Sequence, residues 1–447
     1  MRAETVKRGQ AKTMTKVTNV WALAPLVLLF AGPAAAQTDL PCFVTQTDVD
    51  FNGAPDLVFR ASTSKQKLVV NIDQTSTTVF LDCNGDGVFG SATGDINGAT
   101  FGVIQTFLVR FTGNSDITFN FTGDLNGLAK NIAVKLGAKT NTVNIGGTPT
   151  SPSPGKLLAN SALVVHIDGM VGPDTVNLVL PPVVDNSAIW FRAETGDAND
   201  HVNVYSQGSI VNGSIVDAKV DLGGSANTFN MVQNGTIANG TFNLDLQGGP
   251  GLLDKIESSL AGQIGAGGRF RFHGALGNGN DKFTQTFDLG NLQILAGGEA
   301  RFQIDGDNGG DTITFTRNGT VGGPATLNAG LLAIGVNGGS GSDKITVDLG
   351  GGGFVTTGTY RLRLDGMSGN DTIVAASDFG AGSTPVIDVL IHGGTGADLI
   401  DFTSNNLGAN LPVNYGPAGH VQIDGGYFTD VCTISGNALV HKRSCEK

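Results

Sequence analysis

A phrase of about a dozen residues recurs along this chain at near-constant spacing. It consists of a hydrophobic residue, a polar one, Gly, a few small residues and Asp, followed by alternating apolar positions. It reads IDGMVGPDTVNL at 167–178, IDGDNGGDTITF at 304–315, VNGGSGSDKITV at 336–347, LDGMSGNDTIVA at 364–375 and IHGGTGADLIDF at 391–402. Looser copies extend the anchor position to Asp116, Asn141, Asp174, Asp200, Asn227, Asp254, Asp281, Asp311, Asp343, Asp371 and Asp398, with Asp430 as a degenerate twelfth. Successive anchors lie 25 to 33 residues apart, most often 27. A period of this length marks a solenoid, in which one repeat cannot bury its apolar face alone and stacking makes a continuous core.

Within one period the chain reads as short strands joined by Gly, Asn and Ser turns, for example KFTQTF, LQIL and ARFQIDG after Asp281. Strict alternation predicts half-buried strands. Three strands per repeat predict an all-β fold, a parallel β-helix of roughly 11–12 coils with about 27 residues each. The inward ladder is expected two residues after each anchor, at Val176, Val202, Phe229, Ile256, Phe283, Ile313, Ile345, Ile373 and Ile400, with Leu178, Val204, Met231, Phe315, Val347 and Phe402 two further on. Composition agrees. The chain has 34 Asp against 5 Glu, and Asp prefers turns and caps where Glu prefers helix interiors. Phe supplies 24 of the 30 aromatics, as suits a stacked core with no polar tip to satisfy. Two stretches, Gly251–Leu260 and Leu128–Leu136, also carry helix-compatible spacing.

The ends depart from the repeat. Residues 1–36 read as an export signal, with an apolar core at Val20–Phe30, an Ala-x-Ala site at Ala34–Ala36 and a possible true start at Met14. Residues 37–105 are expected to form an irregular N-terminal cap, 106–402 the repeats, and 403–447 a final degenerate coil with a C-terminal cap. Four cysteines in an exported chain suggest two disulfides. Three connectivities are open, and the local pairs Cys42–Cys83 and Cys432–Cys445 would staple one end each. No later apolar run is long enough to span a membrane. The formal charge of −12 falls to about −16 once the leader's net +4 is removed, which disfavours nucleic acid as a partner.

GGSGSDKIT at 338–346 and GGTGADLID at 393–401, and nearly so GMSGNDTIV at 366–374, resemble the GGxGxDxUx nonapeptide of hemolysin-type calcium-binding (repeats-in-toxin) proteins. In that family such turns stack and hold calcium between coils through backbone carbonyls and the Asp. The resemblance implies Ca²⁺ along Asp281, Asp311, Asp343, Asp371 and Asp398. That family carries two nonapeptides per coil and this chain carries one, so only one edge would hold ions. Electrostatics raises the same question. Carboxylates on coils about 4.8 Å apart repel by roughly 0.9 kcal/mol in water and ~3.5 kcal/mol at an effective dielectric of 20. Calcium is one way to compensate the column; the alternative is that each Asp caps its own turn, as Asn141 and Asn227 could without a charge. A second oxygen-rich pattern, LDCNGDGVFG, places Asp82, Asn84 and Asp86 as in the first half of an EF-hand loop. Its twelfth position is Thr93, and Asp95 lies close by.

Parallel β-helices also host polysaccharide lyases and hydrolases. The best-looking carboxylate cluster is Asp398 with Asp401 and His392, which matches other coils closely enough to read as drift within a repeat. Basic residues precede the turns: Arg192, Arg271, Arg301, Arg361, Arg363, His166, His273 and His392. Alternation puts most of them on one outer face, where they either pair with Asp305, Asp365 and similar neighbours or line a groove for an acidic polysaccharide. The expected function is an exported, non-catalytic binding or structural module at or outside the cell surface, with a polysaccharide or protein partner and no catalytic residue assigned. A polysaccharide-acting enzyme on the same scaffold is the alternative.

Overall fold

A computed structural model describes residues 42–49, 52–62, 65–251, 253–288, 290–318, 327–350, 358–378, 386–405, 421–436 and 440–446. The expected leader at residues 1–36 lies outside the described residues, as does most of 403–420. The described chain is a right-through stack of parallel coils, and no α-helix occurs among the described residues. Two sheets of fifteen strands run the length of the stack, with a narrow third sheet of seven short strands. Sheet A runs from Phe43–Thr47 to Val440–Arg443, sheet B from Ile96–Phe101 to Val431–Gly436, and sheet C from Leu125–Asn126 to Gln293–Ile294. From Ser115 onward neighbouring coils are offset by 26 to 33 residues in sheet B, as in the pairs Asn141 with Ser115 and Asn141 with Asp174. The N-terminal end breaks the rule: Phe43–Thr47, Thr77–Asp82 and Ile96–Phe101 join antiparallel and finish the edges of both long sheets.

Alternation decides the core. Every residue of the expected inward ladder is fully buried, from Val176 through Phe229 and Ile313 to Ile400, and so is the second ladder from Leu178 to Phe402. The two helix-compatible stretches are strands, Lys255–Leu260 and Ala129–Lys135. Their apolar residues serve a period of two once the neighbouring coils supply pairing partners. In the middle of the stack Phe302 packs against Phe270, Phe272, Phe287 and Phe315 with ring centroids 5.5–6.3 Å apart, the range of tilted and edge-on pairs.

One anchor moves by a residue. Asn141 pairs with Ser115, so Ser115 and not Asp116 holds the anchor position of its coil, and the Ser115 hydroxyl donates to Asn141 Oδ1 at 2.7 Å. Asp116 takes the half-buried position beside it. The sequence FTGNSDITF offers a polar residue at both places, and a one-residue slip in a strand exchanges its faces.

Both disulfides form, Cys42–Cys83 and Cys432–Cys445, with Cα atoms 5.7 and 5.6 Å apart. They tie strand ends at opposite ends of the stack. No helix among the described residues is long and apolar enough to cross a membrane. Phe302→Ala removes a ring shared by four others and is expected to cost about 3–5 kcal/mol, measured by denaturant unfolding; a loss under about 1 kcal/mol would show that the aromatic cluster does not carry the core.

Candidate functional site

Two features collect the chemistry of this chain: the aspartate corner between sheets A and B, and the outer face of sheet A.

At the corner each anchor Asp points inward. Asp281, Asp311, Asp343, Asp371 and Asp398 are 1–2 % exposed. Their Oδ1 atoms accept the backbone N–H of the anchor one coil earlier: Asp254 to Asp281 at 2.6 Å, Asp281 to Asp311 at 2.7 Å, Asp311 to Asp343 at 2.7 Å, Asp343 to Asp371 at 2.8 Å and Asp371 to Asp398 at 2.8 Å. The series begins at the Asp174 N–H, which donates to Asp200, and ends with Asp398 donating to Asp430. Asn227 takes the same place, accepting from Asp200 at 2.9 Å. The anchor is therefore a clamp between coils, and Asn141, Asn227 and Asp254 also bond the backbone of their own turns.

The second oxygen explains the first glycine of the phrase. Oδ2 of Asp281, Asp311, Asp343, Asp371, Asp398 and Asp430 is buried and makes no hydrogen bond. In the coils of Asp311, Asp343, Asp371, Asp398 and Asp430 it packs against the Gly five residues earlier, a place taken by Leu276 in the Asp281 coil: a Cβ on Gly306 would lie 2.7 Å from Asp311 Oδ2 and 2.0 Å from the Gly338 carbonyl oxygen. Glycine is needed there for close approach, at an ordinary backbone conformation. A buried carboxyl with one unmet oxygen favours its neutral form. Burial pushes Asp311 and Asp371 up to about 7 and Asp281 up to about 6, opposed by the N–H bond at Oδ1 and reinforced by neighbouring carboxylates. Asp174 and Asp200 are pushed up to about 7 and about 6, again chiefly by burial, and Asp254, Asp343 and Asp398 are raised for the same reason. Calcium needs six to eight oxygens around one point. Here one carboxyl oxygen is taken by an N–H and the other is wedged against a glycine, and among the described residues no group of three or more His, Cys, Asp or Glu converges. The carboxylates by themselves do not assemble such a shell among the described residues. Burial favours their neutral form.

The loop at 82–95 is likewise occupied. Asp82 accepts the N–H groups of Gly85 and Gly87 at 2.7 and 2.8 Å, and Asn84 Oδ1 accepts that of Asp86 at 3.1 Å. Asp86 accepts the Val88 N–H at 2.7 Å and the Ser91 hydroxyl at 2.6 Å, and the Ser91 hydroxyl foremost holds its carboxyl below the usual range. Asp95 accepts the Cys83 N–H at 2.8 Å, which closes the loop beside the Cys42–Cys83 bond. Asp82, Asn84 and Asp86 thus form a network of Asx turns whose oxygens face donors from their own loop.

On the outer face of sheet A, register stacks side chains in columns. Trp190, Asp217, Asn243, Arg271 and Arg301 share one column, and His166, Arg192, Lys219, Asp245, His273 and Gln303 the next. A depression of about 440 Å³ opens at Asp217, Lys219, Asp245, Arg271, His273 and Arg301. Arg271 and Arg301 share a single carboxylate, Glu299, at 3.3 Å from the Arg271 guanidinium. His273 lies between Asp245 at 3.0 Å and Asp305 at 3.3 Å, and its bond to Asp245 foremost raises its pKa above the ordinary value. Farther along, Arg361 and Arg363 share Asp388 at 3.0 and 2.8 Å, and His392 pairs with Asp365 at 3.2 Å. The outward placement of the basic residues was legible in the alternation; Arg271, His273, Arg361, Arg363 and His392 pair across coils, while Arg192 and Arg301 pair within their own strands with Glu194 and Glu299. The cluster of Asp398, Asp401 and His392 is split: Asp398 is buried in the corner, where His392 opposes part of the upward shift that burial gives its carboxyl, Asp401 stands on the outer side of sheet B, and His392 bonds Asp365 on sheet A. The buried orientation of the anchors was missed in sequence, although the invariant spacing of five between Gly and Asp in IDGDNGGD, VNGGSGSD and LDGMSGND carried the signal. No family model, curated protein or solved structure matches this chain.

The raised carboxyls give stability an inverted pH dependence. A folded pKa above the ordinary 3.8 means the native state binds protons more tightly than the unfolded state. The contribution is then full below about pH 4 and is lost as pH rises through the folded values of about 6 to 7. The melting temperature is expected to fall between pH 5 and pH 8 and to be unmoved by millimolar calcium at pH 8. A flat or rising profile removes the neutral column, and a calcium-dependent increase assigns cations to the chain. Gly306→Ala is expected to destabilise by about 1–3 kcal/mol through overpacking against Asp311, read by the same melts.

Proposed function

We propose that this chain is an exported, non-catalytic β-helix that acts at or outside the cell surface as a binding module, with the outer face of sheet A as its ligand face and an acidic polysaccharide as its ligand. The leader-like Val20–Phe30 segment with Ala34–Ala36 and the two disulfides support export. The observation that carries the binding reading is the pair of guanidinium groups of Arg271 and Arg301, which share one carboxylate, Glu299, in a depression also lined by Lys219, His273, Asp217 and Asp245. Guanidinium groups that share one carboxylate keep donors to offer an anionic group. A stack of parallel coils presents such groups at a repeat of about 4.8 Å, a spacing suited to an extended polymer with a charge on each unit.

The test uses polygalacturonate and titration calorimetry on the full mature chain. Arg271→Ala with Arg301→Ala is expected to weaken binding by about tenfold or more, equal to ~1.4 kcal/mol, and to lessen its dependence on salt. Binding that is absent in the parent, or equal in the double variant, overturns the reading.

A second reading, a polysaccharide-acting enzyme, is favoured by Asp217 and Asp245 lining the same depression. They sit on adjacent coils in a diagonal relation, because Asp217 pairs with Asn243 two residues before Asp245. Diagonal backbone neighbours lie about 7–8 Å apart, and inverting glycosidases hold their carboxyl groups at roughly 6.5–9.5 Å. Release of reducing ends or of unsaturated products from polygalacturonate, lost in Asp217→Asn, would establish that reading over the binding one.

A further inference from the structure

The last described coil breaks the turn pattern in one place. Two residues before the anchor, five consecutive coils carry glycine, at Gly279, Gly309, Gly341, Gly369 and Gly396, with φ between 136° and 148°. A Cβ on Gly396 would fall 1.5 Å from the Gly369 carbonyl oxygen. In the Asp430 coil this position is Phe428, at φ 89°. A bulky residue in the left-handed region is a real outlier that costs of order 1–3 kcal/mol. Its ring contributes nothing to the core in return: Phe428 is 76 % exposed and its neighbour Tyr427 is 73 % exposed. Strain that holds two aromatic rings in solvent is the kind of outlier from which a binding role is inferred.

The surroundings state the chemistry. Tyr427 stands in register with Thr395, and Thr395 continues a column through Ser368 and Ser340 to Asn308. Tyr427 forms one end of a groove of about 430 Å³, whose lining includes Asp307, Asn308, Asp365, Met367 and His392. Four coil steps from Asn308 to Tyr427 give it a length of ~19 Å. Gly339 and Gly394 lie along it, and a Cβ on either would come within 2.2 Å of a carbonyl oxygen of the neighbouring coil, so glycine lets the coils approach closely there. Met367, at φ 72° and 47 % exposed, adds a second apolar surface. Apolar faces at Tyr427 and Met367 beside carboxylate, amide and hydroxyl groups match a sugar ring, which has a C–H face and a rim of hydroxyls. The carboxylates Asp307 and Asp365 repel uronates and sulfates, and a second copy of this acidic chain is disfavoured on the same ground.

We propose that this groove binds a neutral oligosaccharide, with Tyr427 as the stacking platform. The site is separate from the depression on sheet A and does not rest on the reading given to that face.

Calorimetry on the full mature chain with cellohexaose, laminarihexaose, xylohexaose and mannohexaose, and with hexagalacturonate as the acidic control, tests it. At least one neutral hexasaccharide is expected to bind. Tyr427→Ala is expected to weaken that binding about tenfold or more, and Arg271→Ala to leave it unchanged. Phe428→Gly relieves the strained φ, so it is expected to melt higher than the parent. The proposal is overturned if no neutral hexasaccharide binds, if Tyr427→Ala binds at full strength, or if binding is lost in Arg271→Ala instead. Sedimentation closes the remaining route: a parent dimer that Tyr427→Ala converts to monomer, without sugar binding, makes the patch a self-contact and overturns the proposal.

Discussion

One hydrogen bond, repeated from coil to coil, sets the geometry of the corner: a buried carboxyl oxygen that accepts the backbone N–H of the same position one coil before. It works at a place where two strands turn and the sheet ladder is interrupted, so the N–H would otherwise be unmet. Because the acceptor comes from the next coil, the bond fixes both the spacing of coils and the register of the strands on either side. Apolar ladders alone would tolerate a slip of two residues, since that keeps the same face inward. The corner does not, and from Asp200 to Asp430 it keeps an Asp or Asn acceptor at every anchor. Ser115 closes the same position near the N-terminal end with a hydroxyl that donates to Asn141 Oδ1.

The clamp places a demand on charge. A stack of ionised carboxylates 1–2 % exposed would combine desolvation with mutual repulsion, and both are relieved when the carboxyls are neutral. The unmet Oδ2 atoms are therefore part of the design of the corner and tie its strength to proton concentration. The two candidate ligand surfaces are what the regular corner leaves free. Sheet A turns uniform register into columns of polar side chains, and sets Arg271 and Arg301 on the single carboxylate of Glu299. At the C-terminal end the turn phrase loses its glycine, and Tyr427 and Phe428 appear in solvent where every preceding coil of that run is smooth.

Legibility in the sequence followed the range of the interaction. The ladder from Val176 to Ile400 was readable because burial on a strand obeys a period of two, a local rule. The stretch Lys255–Leu260 was ambiguous on spacing alone, because its alternation is short and its partners lie 27 residues away on either side. The anchor column was readable as a column, yet the direction of its side chains was not. Asp at a Gly-rich turn can face solvent and bind an ion or face inward and bind a neighbouring coil, and the same residues serve both. The slip from Asp116 to Ser115 has the same origin, since two adjacent polar residues are equivalent until a partner strand selects one.

By itself the sequence determined the period, the inward and outward sets of each strand, the all-β parallel solenoid and the residues that could form columns. Those properties depend on spacing along one chain. Only the tertiary structure decided what each column faces: that Asp311 and its equivalents are buried against glycine and bonded to backbone, that Asp398 and Asp401 lie on different sides of a strand, and that Arg271 and Arg301 share Glu299. These are relations between coils, fixed when stacking brings residues about 27 positions apart to within a hydrogen bond, and no single coil contains the atoms that settle them.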